Sequence, residues 1–159
     1  MKDNPKVIDR VYALRETEKS GTLFKPVIET PNLIWTFEIS EMDKLGILLD
    51  HLEVEAKMIP SLPLGKQSEF LKSKVTYLEE DFSLIEDDRS SRTVVLRSNL
   101  PRQLENTISY YEILLRGGDR MSFDRYEFDK TTRQRQVRPA NLARETFERL
   151  LSDFEDLFS

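Results

Sequence analysis

Two adjacent glycines, Gly117-Gly118, separate two apolar-rich runs, Ile108–Leu115 and Met121–Phe128. Glycine adopts the positive φ angles of tight hairpin turns at no steric cost, so this stretch predicts a β-hairpin. A two-residue turn there sets Arg116 opposite Asp119, Leu114 opposite Met121 and Glu112 opposite Phe123. The first run is apolar on both faces, with Tyr111, Ile113 and Leu115 on one and Ile108, Tyr110 and Leu114 on the other. A strand of that kind belongs in the middle of a sheet, covered twice. In the second run the phase changes: Met121 and Phe123 share one face, while Tyr126 and Phe128 fall on the other. One extra residue at Asp124–Arg125 would set Tyr126 beside Tyr110 and Phe128 beside Ile108, so a β-bulge is expected there.

The rest of the chain supplies elements to pack on this hairpin or extend its sheet. Asn4-Pro5 suits a helix start, and Val7, Val11 and Leu14 at helical spacing predict a helix over Lys6–Lys19 that stops at Gly21. Thr22–Ile28 reads as extended, with Pro26 marking an edge. Leu33, Trp35, Phe37 and Ile39 alternate as one face of a strand. Between Ser40 and Ile59 the spacing of Met42, Leu45, Leu48, Leu49 and Leu52 suggests a helical turn or short helix, followed by a strand near Leu52–Met58. Pro60–Gly65 is a loop, and Ser68–Ser73 is either a helical turn or a strand start. Val75–Leu78, Phe82–Ile85 and Thr93–Arg97 read as strands, the last two forming a second hairpin around a polar turn at Asp87–Ser91. Asn99–Asn106, with Pro101, is a connector. Lys130–Arg138 adds a short strand ended by Pro139. Asn141 is the expected cap of a terminal helix whose Phe147, Leu150, Leu151, Phe154, Leu157 and Phe158 form one apolar stripe.

The sum is a single α+β domain over residues 1–159. It has a mainly antiparallel sheet of about five to seven strands in meander hairpins, an N-terminal helix and an amphipathic C-terminal helix packed on the sheet. A small half-closed β-barrel with terminal helices is the alternative.

Composition narrows the function classes. With 38% hydrophobic and 33% charged residues, the chain fits a water-soluble domain. It has no cysteine, which removes disulfides, thiolate catalysis and thiolate metal sites. No apolar run reaches bilayer length and no apolar signal core follows Met1, so a cytoplasmic protein without membrane contact is expected.

Charge is unevenly spread. From Arg116 to Arg144 eight basic residues stand against four acidic ones, a surplus of four in a chain of net charge −5. Arginine grips phosphate and carboxylate with two parallel N–H donors, and aromatic rings stack on bases. Arg120, Arg125, Arg133, Arg135 and Arg138, near Tyr126 and Phe128, are therefore candidate binding residues for nucleic acid or another polyanion. The competing interpretation is a solvated strand face paired with nearby acids. The acidic runs Glu79-Glu80-Asp81 and Glu86-Asp87-Asp88 read as solvated turns, or as partners for the basic stretch within one chain or across two copies. Residues 145–159 sum to −4, an outer helix face able to meet a basic surface.

Glu55-Ala56-Lys57, with Asp43 or Asp50 upstream, has the outline of an acid–x–lysine element of a metal-dependent phosphodiester hydrolase. The lone His51, beside Asp50, suits a surface or half-buried structural role. Trp35 and Phe37 suit plain core, or a ligand pocket if the sheet curls. No nucleophile turn, P-loop or dinucleotide fingerprint is present, and neither a cofactor nor a metal is implied. The leading expectation is a non-enzymatic protein-binding domain, an adaptor or regulatory assembly subunit, with self-association included.

Overall fold

The computed structural model describes residues 5–17, 23–98 and 102–159. The Asn4 cap, the end of the first expected helix with Gly21, and the start of the Asn99–Asn106 connector lie outside them. In chain order the elements are α1 (Val7–Thr17), β1 (Val27–Glu29), β2 (Leu33–Met42), β3 (Gly46–Ala56), α2 (Leu64–Lys74), β4 (Phe82–Asp88), β5 (Thr93–Ser98), β6 (Arg102–Gln103), β7 (Thr107–Arg116), β8 (Arg120–Asp129), β9 (Arg135–Arg138), β10 (Ala140–Ala143) and α3 (Arg144–Leu157). Every pairing is antiparallel. The ten strands form one sheet in the order β1-β2-β3-β8-β7-β5-β4, with β10 added on β3, β6 on β7 and β9 on β8. β1 and β4 end the path unpaired with each other, so the sheet is open rather than a barrel. This is the expected α+β fold, with short strands raising the count.

The hairpin β7–β8 is central in the sheet, but only one of its faces is covered: Tyr111, Ile113 and Leu115 are buried on the helix side, whereas Ile108 and Leu114 on the other stay partly exposed. Its register differs from the expected one. Arg116 pairs with Arg120, Leu115 with Met121 and Ile113 with Phe123, and the ladder runs unbroken to Thr107–Asp129. The extra residue sits in the turn instead of a bulge at Asp124–Arg125. Gly117 and Gly118 take φ of 64° and 85°, and Asp119 joins them in a three-residue loop. Tyr110 therefore still pairs with Tyr126 and Ile108 with Phe128. With no bulge, however, Met121 and Phe123 face the core while Tyr126 and Phe128 face the other way.

The bulge lies in β2–β3. Glu38 pairs with His51 and Ile39 with Leu49, which leaves Asp50 as the extra residue of β3. Ser40 is likewise skipped in β2, and its hydroxyl donates to the Asp50 carboxylate. The core face of β3 accordingly shifts from Ile47 and Leu49 to Leu52, Val54 and Ala56. This corrects the helical turn expected after Ser40, where the chain turns tightly at Asp43–Leu45. Asp43 accepts hydrogen bonds from the Leu45 and Gly46 amides at 2.8 and 3.0 Å.

At the same place the sheet forks. β3 pairs with β8 over Leu52–Glu55 and with β10 over Gly46–Leu49. β8 pairs with β3 over Arg120–Phe123 and with β9 over Arg125–Phe128. Beyond Leu52 and Phe123 the two strands diverge. β9 runs toward the junction along β8, Pro139 turns the chain, and β10 runs back along β3.

All three helices cover one face. Trp35, Phe37, Leu52, Val54, Ile113, Leu115, Met121 and Phe123 are buried beneath them. Phe147 meets Phe37 edge-on at 6.1 Å, and Phe154 packs on Phe123 at 5.8 Å. The whole predicted stripe of α3 is buried. Two further expectations are corrected. Val75–Leu78 is no strand, because α2 runs to Lys74 and the Val75 amide closes its last turn on Leu71. Asn141 lies in β10, whose Ala140 and Leu142 alternate inward. α3 has no side-chain cap, and its first amide, Arg144, donates to the Leu45 carbonyl at 2.9 Å. No helix among the described residues is long and apolar enough to cross a membrane.

Candidate functional site

The sheet face opposite the helices carries the organised polar chemistry. Strand alternation brings Glu38, His51, Asp124, Glu112 and Arg97 into one row across β2, β3, β8, β7 and β5. Glu112 is only 9% exposed, although it stands on the uncovered face. Two guanidinium groups cover it. Arg97 reaches its carboxylate at 3.0 Å and Arg135 at 3.1 Å. Each lies over a tyrosine ring, Arg97 over Tyr110 at 4.6 Å and Arg135 over Tyr126 at 3.9 Å. Arg135 also donates to the Tyr110 hydroxyl at 3.3 Å. A buried carboxylate is costly unless paired, and here both sides of it are paired. Beside this cluster is a shallow cavity of about 390 Å³, edged by Arg97, Leu114, Ser122, Asp124 and Arg135. The Arg97 Nε is buried with no hydrogen-bond partner among the described residues.

His51 marks the fork. Its Nδ1 is 2.6 Å from Asp124 and its Nε2 is 3.2 Å from Glu53. The hydrogen bond to Asp124 lifts the imidazole to about 9 against the opposing effect of burial, and the charges of Asp124 and Glu53 add to it. His51 is therefore a cation at neutral pH and lies half-buried at the junction.

The five candidate arginines do not share a face. Arg120 and Arg135 lie on the uncovered face. Arg125, with its ring contact to Tyr111 at 4.5 Å, points to the helix side. Arg138 pairs opposite Arg125 and reaches Glu127 at 3.5 Å. Arg133 sits in the β8–β9 turn with φ of 60°. Arg97, Tyr110, Glu112 and Asp124 escaped the sequence argument. The available signal was Glu112 itself, a charge inside a strand apolar on both sides, which demands a partner.

The other candidates are spread apart. Lys57 Nζ is 2.5 Å from Glu29, Asp43 caps its turn and Asp50 serves the bulge. Among the described residues no group of three or more His, Asp or Glu stands where it could hold a metal ion. Trp35 and Phe37 are plain core, stacked at 6.2 Å. Glu80 accepts from the Ser98 hydroxyl at 3.0 Å, and burial raises its carboxyl. Asp88 closes the β4–β5 turn through Ser90 and Ser91, and those bonds hold its carboxyl below the ordinary range. No family model, curated protein or solved structure matches this chain.

Proposed function

We propose that the chain is a non-enzymatic protein-binding domain, an adaptor or assembly subunit, that docks its partner on the uncovered sheet face. The observation behind this reading is the asymmetry of the sheet: helices on one side only, and on the other an ordered Arg97–Glu112–Arg135 cluster among Val95, Leu114 and Tyr126. Arginine and tyrosine recur at the energetic centres of protein interfaces, because they combine apolar area with hydrogen bonding. The charge of this face favours a protein over a nucleic acid. Cations, among them Lys25, His51, Lys57, Arg97, Arg116, Arg120 and Arg135, are interleaved with acids, among them Glu29, Glu38, Glu53, Glu55, Glu86, Glu112 and Asp124. A phosphate backbone meets no continuous positive track there.

The test is cross-linked capture from a lysate with three forms: wild type, Leu114→Lys with Ser122→Arg on the uncovered face, and Glu155→Lys on α3. Wild type and Glu155→Lys retain the same partner, and the double variant loses it. Equal capture by all three, or no specific capture by any, overturns the reading.

A further inference from the structure

Two strand edges carry opposite charge that the molecule neutralises only in part. β4 is the last strand of the sheet path, so among the described residues one of its edges is free. From Glu79 to Asp88 there are six acids and no base. None of those six is ion-paired among the described residues. At the middle of this run Leu84 and Ile85 are 45% and 51% exposed. Among the described residues β9 pairs only with β8, so it too has a free edge. From Lys130 to Arg138 there are four bases and no acid. Among the described residues Lys130 and Arg133 have no ion pair, Arg135 and Arg138 are paired with Glu112 and Glu127, and Val137 between them is 46% exposed. Each edge thus has a small apolar centre flanked by charge of one sign.

Only Glu79 and Glu80, which precede β4, share a cavity with Arg125 and Pro139; the Glu86–Asp88 end of β4 is out of reach of β9 within one molecule. β5, β7 and β8 separate them, four strand steps of about 4.8 Å, or roughly 19 Å. We propose that the occupant of the β4 edge is a second copy of this chain, docked head to tail through its β9 edge. The chain's own charge pattern identifies the partner: like edges repel, and only the unlike pair brings acid to base and aliphatic to aliphatic. The register shift at Ile85 keeps β4 from offering a continuous ladder of backbone bonds. The contact rests on side-chain charge around a modest apolar patch, so it is reversible and falls with salt. A contact between two different patches closes into a ring or leaves an open chain. It uses sheet edges rather than the face proposed above, so either idea can fail without the other.

Sedimentation equilibrium of the full chain tests it. At low salt, with a Debye length of about 30 Å at 0.01 M, the weight-average mass rises with concentration above the 18.7 kDa monomer. At about 1 M salt, where that length is about 3 Å, it returns to the monomer. Glu86→Lys/Asp87→Lys/Asp88→Lys gives a monomer at low salt, and so does Lys130→Glu/Arg133→Glu. A one-to-one mixture of these two variants associates again, because each retains the edge the other has lost. Glu145→Lys/Glu155→Lys/Asp156→Lys changes net charge equally and leaves association intact. A wild type that stays monomeric at low salt overturns the proposal. So does association that survives either edge variant, a mixture that stays monomeric, or dissociation by the α3 control.

Discussion

His51 is held charged by its place at the fork, and that ties stability to pH. Its folded value of about 9 exceeds the ordinary imidazole value of 6.5. Such a group contributes stability that is fully present below about 6.5 and is lost as pH rises through about 9. The shift sets a ceiling of roughly 3 kcal/mol on that contribution. Urea midpoints of the wild type therefore fall between pH 6.5 and 9.5, whereas those of His51→Gln stay level across the same window and start lower. Parallel profiles for the two proteins would show that the pair adds nothing. Glu112 is the other residue on which its neighbours depend. Glu112→Gln leaves Arg97 and Arg135 facing each other without the charge between them. Removing one partner of a buried pair costs about 3–5 kcal/mol, and partial exposure of the two arginines scales this to roughly 2 kcal/mol. A denaturation midpoint unchanged in Glu112→Gln would mean that the cluster is surface decoration.

The elements divide into those legible in the sequence and those that tertiary pairing decided. The apolar stripe of α3, the alternation of β2 and the β7–β8 hairpin were legible, because one periodicity covers the whole element. β3 was not. Its bulge inserts Asp50 between Leu49 and Leu52, and the resulting three-residue step imitates the spacing of a helix. The same arithmetic misled in β8, where the extra residue belongs to the Gly117-Gly118-Asp119 turn and lies outside the strand. β10 was hidden because Ala140 and Leu142 are too few to show a period, and Asn141 resembles a cap. Of the candidate site, the sequence supplied Arg120 and Arg135. The residues that complete it come from strands distant in sequence, and only register brings them together. The bulge makes a sharp prediction. Asp50→Ala keeps the register and loses one hydrogen bond from Ser40, costing about 1 kcal/mol by chemical denaturation. Deletion of Asp50 turns Ile47 and Leu49 toward the uncovered face and abolishes cooperative unfolding. A deletion variant as stable as Asp50→Ala would show that the extra residue has no role in holding phase.

At the scale of the whole molecule, the fork creates two regions of unequal stability. One is the block of β2, β3, β7, β8 and β5 under the helices, where Trp35, Phe37, Leu52, Ile113 and Leu115 are wholly buried. The other is the arm beyond the junction: the outer halves of β7 and β8 with β6 and β9. Every residue of β9 is exposed, and Tyr126, Glu127 and Phe128 are only partly buried. Local opening follows buried apolar contact, so the arm should open first while the block opens only with global unfolding. β8 passes through both regions and has a strand on each side over Arg120–Phe123 and again over Arg125–Phe128, which makes it an internal control. In hydrogen exchange, the amides of Arg125–Phe128 should lose protection at lower denaturant than those of Met121–Phe123. The His51–Asp124 bond closes the junction, so raising the pH above 9 should widen that difference after correction for intrinsic exchange rates. His51→Gln should show the wider difference already at neutral pH. Uniform protection along β8, with one shared denaturant dependence, would mean that arm and block unfold as a unit and that the fork is only a feature of the backbone path.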